Sequence, residues 1–400
     1  MSRIAFNGNA LGTGTVTIAS PNTNSDRTLT LPDETGTVLL NGGAASFSTL
    51  TVSSNNISAV NSLGFRNRII NGDMRIDQRN AGASGTSNDT YVVDRWAYFG
   101  SQASKATWQQ NAGSITPPAG FSNYFGFTSS SAYSVGASEL FVFSQKIEGF
   151  NTSDLNFGTA NAQTVTLSFW VRSSLTGTFG GYVANSAQNR NYPFSYTISS
   201  SNTWEQKSVT IAGDTTGTWI GGTNGIGMRV GFSLGIGSTN STTANAWNGT
   251  ANAIGVTGAT SVVGTNGATF YITGVQLEAG SVATPFERRD YGRELIMCQR
   301  YCFVPASNSR YVGQCDSTTR ALIIYVFPQT MRSGPAATLA SAATYTVTTA
   351  AGGTVAGTAV SLSGGFLDSA QIGITVASGL VAGNATLVTA NGTTIFSAEL

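Results

Sequence analysis

The sequence predicts an all-β fold, on three observations. Large apolar residues recur at alternate positions, as in Val165, Leu167, Phe169 and Val171, the period that sends one row of side chains to a buried face. Turn-forming residues separate these runs: there are 48 glycines, and Ser, Thr and Asn are plentiful. Only one stretch, 290–302, carries the three-and-four spacing of a helix. The 6 Trp, 13 Tyr and 21 Phe fall in alternating runs, which argues against disorder even though only 10% of residues are charged. A chain of 400 residues has room for two or three domains. We read a thin N-terminal β arm (1–63), a central antiparallel jelly-roll sandwich (64–284), a short connecting helix or neck (285–302) and a small C-terminal β-sandwich tip (303–400).

The arm has only Phe6 and Phe47 as aromatics. Its short alternating segments (15–18, 28–31, 37–40, 49–52) are separated by turns such as Ser20-Pro21-Asn22 and Asn41-Gly42-Gly43. They are too poor in large apolar groups to close a core alone. They suit an intertwined shaft or an anchoring arm; a flexible tail is the alternative.

In the sandwich, segments 67–77, 92–99, 140–147, 165–171, 204–211, 228–234 and 270–277 read as strands. Asn71-Gly72 is a turn signal inside the first. Two packed antiparallel sheets follow from seven such runs, without a strand order. The last run changes phase. Phe270 and Ile272 alternate, Val275 and Leu277 alternate out of step, and Gly274 sits where a β-bulge would return both pairs to one face. Pro285 ends this strand. Asp290 is the expected N-cap of the helix, and Leu295, Cys298 and Tyr301 or Cys302 form its apolar stripe. In the tip, strands are expected at 321–327, 344–348, 359–362, 371–376, 385–388 and 393–397. Its acidic residues are Asp316, Asp368 and Glu399, and its basic ones Arg310, Arg320 and Arg332.

Composition removes several function classes. Without histidine there is no His-based general base, no Ser-His-Asp triad and no His-ligated zinc. Neither a Walker loop nor a strand–GxGxxG–helix unit is present. A net charge of +1 offers no field for nucleic acid. No run is long and apolar enough for membrane insertion, and the start MSRIAFNGN lacks a signal-peptide core, so synthesis in a cytoplasm is expected. Cys298, Cys302 and Cys315 are too few for a disulfide framework and lack a fourth soft ligand for zinc, so buried reduced thiols are expected. Asp73 with Asp77, Asp89 with Asp94, and Glu139 with Glu148 are the pairs a glycosidase would draw on; ion pairing with Arg75, Arg79, Arg95 and Lys146 explains them as well. No cofactor is called for. A structural calcium ion held by aspartates and backbone oxygens in a sandwich loop is the one metal option the loops leave open.

Aromatic side chains remain as a binding handle, because a flat ring stacks on the apolar face of a sugar. Trp108, Trp219 and Trp247 lie in or beside loop-like sequence, and Trp170 points away from an otherwise apolar strand face.

Several motifs, in order, resemble tail-fibre and receptor-binding proteins of tailed bacteriophages: NRIINGDMRIDQRNAG, YVVDRWAYF, SQKIEGFNTSDLNFGTANAQTVTLSFWVRSSLTGTF, NTWEQKSVTIAGDTTGTW and GVQLEAGSVATPFERRDYGRELIMCQRYC, together spanning residues 67–302. RTLTLPDETGTVLL is similar to fibre N-terminal segments, and FPQTMRSGPAATL and IFSAEL to tip modules. Cys302 stands where such sequences often carry a second aromatic. The resemblance implies a homotrimeric fibre of the virion tail with a carbohydrate-binding-like jelly roll. Its N-terminal arm would dock on a tail, baseplate or adaptor protein, and its distal part would meet a host surface glycan or outer-membrane protein. It implies no defined sugar site. A fibre-borne polysaccharide depolymerase and a purely structural baseplate or collar component are the alternatives to adhesion. In a trimer, Leu295, Cys298 and Tyr301 would face the three-fold axis as a neck; packing on their own sandwich is the other option.

Overall fold

The computed structural model describes residues 65–400. The N-terminal arm and its expected strands lie outside the described residues. Among the described residues, thirteen strands precede the helix: β1 (Thr90–Val93), β2 (Trp96–Gly100), β3 (Ala106–Gln110), β4 (Phe125–Ser129), β5 (Leu140–Glu148), β6 (Val165–Ser173), β7 (Gly177–Ala184), β8 (Asn191–Ile198), β9 (Glu205–Ile211), β10 (Ile226–Ile236), the two-residue β11 (Ser241–Thr242) and β12 (Gly255–Val256), and β13 (Thr269–Ala279). They form a six-stranded sheet in the order β1-β2-β5-β10-β7-β8 and a five-stranded sheet in the order β3-β4-β13-β6-β9, with β11 paired to β12 apart from both. Pairing within both large sheets is antiparallel.

The apolar rows of the long strands meet between the two sheets. Phe141, Phe143, Val230, Phe232 and Leu234 from one sheet meet Phe125, Phe127, Leu167, Phe169 and Phe270 from the other, all fully buried. Phe143 stacks between Phe125 at 3.9 Å and Trp96 at 4.7 Å. Stacked and edge-on rings add attraction beyond the area they remove from water.

The expected strand at 92–99 is a hairpin instead. Arg95 takes a left-handed φ of 72° and reverses the chain between β1 and β2. Asp94 and Arg95 are both buried, so the turn is anchored by interior contacts rather than by loop residues. Segment 67–77 contains the expected turn, with Asn71 left-handed, but forms no strand. Side chains satisfy its backbone instead. Gln145 accepts from Ile70 N and donates to Ile70 O, and the Asn71 amide closes its own loop onto Ile76 and Asp94.

The bulge in β13 is present. Gly274 has φ 62°, and the register against β6 slips between Thr273 and Gln276. Asn67 repairs the backbone beyond it: its Nδ2 donates to Val275 O at 3.1 Å and its Oδ1 accepts from Leu277 N at 3.0 Å. Gly72 lies so close that a Cβ there would be 2.1 Å from Val275 O.

Helix α1 (Tyr291–Gln299) begins where expected, with the Asp290 carboxylate accepting from Arg293 N at 2.9 Å. Two members of its stripe, Cys298 and Tyr301, pack on their own chain, the second of the two options for it. Cys298 and Tyr301 are fully buried in their own chain, against Ile70 and Ile76, with Leu295 and Leu400 beside them. The sandwich takes the stripe because Tyr301 completes a polar contact there: its hydroxyl donates to Glu148. Tyr291 and Ile296 are its large apolar residues left exposed.

The C-terminal region has β14 (Cys302–Phe303), β15 (Ser309–Cys315), β16 (Arg320–Val326), β17 (Ala336–Thr338), β18 (Tyr345–Thr348), β19 (Thr354–Gly365), β20 (Ser369–Val376), β21 (Ala385–Ala390) and β22 (Ile395–Ser397). It is not a sandwich. Strands β15-β16-β20-β19-β18-β21 close into a barrel, and β14-β22-β17 form a small separate sheet. Closure removes free sheet edges, which suits a region with so little charge to protect them.

Ions join this region to the sandwich. Glu399, its side chain largely enclosed, pairs with Arg79 at 3.1 Å and with Arg95. The Arg95 guanidinium stacks 3.5 Å above the Tyr301 ring and donates to Lys146 O at 2.6 Å. Arg300 grips Glu148 through two bonds, at 2.6 and 2.9 Å.

Candidate functional site: a groove on the outer face of the six-stranded sheet

The outward row of the six-stranded sheet builds a hollow. Cross-strand pairing aligns Tyr91, Ala97, Ser144, Gly231 and Tyr182 on β1, β2, β5, β10 and β7. Small residues in the middle with aromatic ones at the ends make a trough. Gly231 is needed here, because a Cβ would lie 2.4 Å from the Tyr182 ring. The ring lies across β10, and its hydroxyl bonds Ser144. Burial raises the Tyr182 phenol pKa, with the Ser144 bond pulling the other way.

The resulting groove encloses about 360 Å³. Ile254, from the segment after β10, packs on Val142, Tyr182 and Ala184 and forms one wall. Phe99, 39% exposed, presents a free aromatic face. Lys146 stands opposite Arg229 in the register. Lys146 Nζ and Tyr91 Oη both donate to Leu400 O, while Arg229 Nε and Nη2 donate to Ser186 O at 3.3 and 3.2 Å. Burial first, and then the Arg229 charge, lowers the Lys146 pKa. A smaller hollow of about 200 Å³, lined by Ser233, Ser241, Val256 and Thr257 among others, lies on the same face.

None of the four tryptophans lines this groove. Trp108 is buried in the core at 5% exposure, its Nε1 donating to Ser87 O, so it has no face to offer a ligand. Trp170 pairs in register with Thr273 and points away from the core of the five-stranded sheet, the other side of the sandwich. Trp219 and Trp247 do come together, 5.5 Å apart and edge-on, over Phe157. Their indoles donate to Asp214 and Ala212 O. Edge-on packing and engaged N–H groups make them a plug on the core, with little flat surface for a sugar.

The carboxylates are mostly occupied. Asp73 pairs with Arg75 at 3.3 Å. Asp77 accepts from Asn80 and Gly82. Glu139 accepts from Tyr133 and Gly136. Burial alone would raise the Glu148 pKa, but Arg300 and Tyr301 together hold it below the usual range. Asp94 accepts from Gln78, and burial pushes its carboxyl up to about 6. Asp89, on the groove rim, makes no hydrogen bond or ion pair among the described residues. The three cysteines are free and buried. Among the described residues, no three Cys, Asp and Glu side chains gather as a metal site, and no helix is long and apolar enough to cross a membrane.

The groove residues occupy the outward phase of their strands, and only the buried phase carries an apolar periodic signal. The outward phase holds Ala97 and Phe99, Ser144 and Lys146, Arg229 and Gly231. Glycines in β7 masked the alternation that carries Tyr182.

No protein-family model matches the chain, and no curated protein does. Solved structures share a distant likeness. The enzymatically active domain of bacteriophage CBA120 tailspike protein 4 is 12% identical, covering 54% of this chain and 21% of that one, with a TM-score of 0.29. The chain thus spans about a fifth of that structure. TmCBM61, solved with β-1,4-galactotriose, is 12% identical over 54% of this chain and 100% of that one, TM-score 0.27. The family 11 carbohydrate-binding module of Clostridium thermocellum, solved with a mixed-linked tetrasaccharide, is 9% identical over 51% and 99%, TM-score 0.26. Likenesses this distant carry nothing about ligand or activity.

Proposed function

We propose that this chain is a non-catalytic adhesion component of a phage tail fibre, and that it holds a host surface glycan in the groove of the six-stranded sheet. One observation carries the binding half of this reading. An open hollow of about 360 Å³ combines an exposed aromatic face, Phe99, with free polar groups on a rigid sheet, the combination that sugars require. Hydrolysis of a glycosidic bond draws on two carboxyl groups, and Asp89 is the one carboxylate lining the groove. That favours binding over depolymerisation. The fibre half rests on the ordered motifs across residues 67–302. Attachment to a tail through the N-terminal arm and a three-chain assembly come with it.

The test is binding of purified protein to an array of bacterial surface polysaccharides. Phe99→Ala should weaken the hits about tenfold, the scale of one lost stacking contact, while Trp219→Ala leaves them unchanged. Equal binding by wild type and Phe99→Ala would move the site elsewhere. Release of reducing ends during incubation would replace adhesion with depolymerisation.

A further inference from the structure

The polar groups of the groove are unevenly distributed. Lys146 and Arg229 face each other across β5 and β10; like charges placed directly opposite repel. The groove lining has one acid, Asp89. It precedes β1, three strand spacings from β10, or roughly 14 Å. Glu399, the nearby buried carboxylate, is committed to Arg79 and Arg95. Lys146 has the Leu400 oxygen as its partner. Arg229 is anchored to Ser186 through Nε and Nη2, and its Nη1 makes no hydrogen bond among the described residues. The Gln188 side-chain amide, also in the lining, makes none either. One end of the groove is therefore an unbalanced positive pole with a free guanidinium N–H and a free amide. The other end is a lone carboxylate beside the Phe99 ring.

We propose that the groove takes an acidic glycan. The carboxylate of a uronic acid sits on Arg229 and Gln188, and the following sugars run past Phe99 to bring hydroxyls to Asp89. This rests on the glycan-binding reading above and names its ligand class. A guanidinium matches a carboxylate in shape and charge, and Asp89 can only accept, which suits sugar hydroxyls.

Ligand-observed NMR on the full chain with methyl glucuronide and methyl galacturonide tests this, each set against its neutral twin, methyl glucoside or methyl galactoside. Calorimetry with oligogalacturonate and its carboxyl-reduced form extends it to chains. The acidic member should bind at least about tenfold tighter, and the preference should shrink as salt rises. Arg229→Gln should abolish the preference while neutral sugars still bind, and Gln188→Ala should reduce it. Arg172→Gln, on the opposite sheet, should leave it intact. Equal affinity for acidic and neutral twins overturns the acidic assignment and leaves glycan binding standing. Loss of neutral binding in Arg229→Gln equal to the acidic loss also overturns it. No binding of any of these sugars overturns the acidic assignment, and no binding on the polysaccharide array as well overturns both readings.

Discussion

Glu399→Gln should loosen the seam between sandwich and barrel more than any surface change could. The carboxylate is 6% exposed and lies between two guanidinium groups. Arg95 is 1% exposed, pressed on Tyr301, and its other strong bond goes to Lys146 O. Arg79 is nearly as enclosed. Neutralising Glu399 leaves Arg95 without a carboxylate partner and Arg79 with only Asp94 nearby, in a region water scarcely reaches. Removing one partner of a buried pair costs about 3–5 kcal/mol, a large share of a typical stability of about 5–15 kcal/mol. Urea unfolding followed by tryptophan fluorescence reads this directly, since the midpoint falls while the slope holds if unfolding stays cooperative. The paired replacement Arg95→Met with Glu399→Leu should recover part of the loss, because the desolvation of those two charges disappears together while Arg79 keeps only Asp94 nearby. A loss below about 1 kcal/mol for Glu399→Gln is the value of a solvated pair and would refute the argument that this seam is dry.

Two other changes probe the framework. Asp94 has its carboxyl raised to about 6 by burial, against the pull of Arg79 and Gln78. Its folded pKa lies above the unfolded value of about 3.9, so the folded state holds the proton longer, and the ionised group costs stability as pH climbs from about 4 to 6. Asp94→Asn should therefore gain on wild type across that window, by up to about 3 kcal/mol, and hold the gain above it; denaturation at a series of pH values would show a constant difference if the raised pKa were wrong. Gly72→Ala forces a methyl to 2.1 Å from Val275 O and should cost at least about 2 kcal/mol; an unchanged melting temperature would mean that the 67–72 segment yields freely.

Much of the framework could be read before any coordinates. The phase slip at Gly274 announced the bulge, and Asp290 announced the helix start. What failed were readings that depended on a remote partner. Val92 to Phe99 alternates well enough to pass for one strand, yet Arg95 turns the chain because its guanidinium finds Glu399, 304 residues away. The α1 stripe could have met a second chain or its own. Glu148, 153 residues before Tyr301, supplied the contact that drew it inward. Trp108, Trp219 and Trp247 stand out as aromatic in or beside loop-like sequence, and Trp170 as facing away from an apolar strand face, but an indole in a loop serves equally as a plug, and Trp219 with Trp247 does so.

By itself the sequence determined which face of several strands is apolar, where the bulge and the helix fall, and that no histidine chemistry is available. These follow from side-chain periodicity and residue type, which act over a few neighbours. Tertiary structure alone decided that β5 lies between β2 and β10, that the C-terminal strands close into a barrel, and that Phe99, Arg229 and Asp89 share one groove. Pairing partners in a sheet are chosen by long-range complementarity of whole faces. A site written across five strands on the outward phase leaves no contiguous trace along the chain.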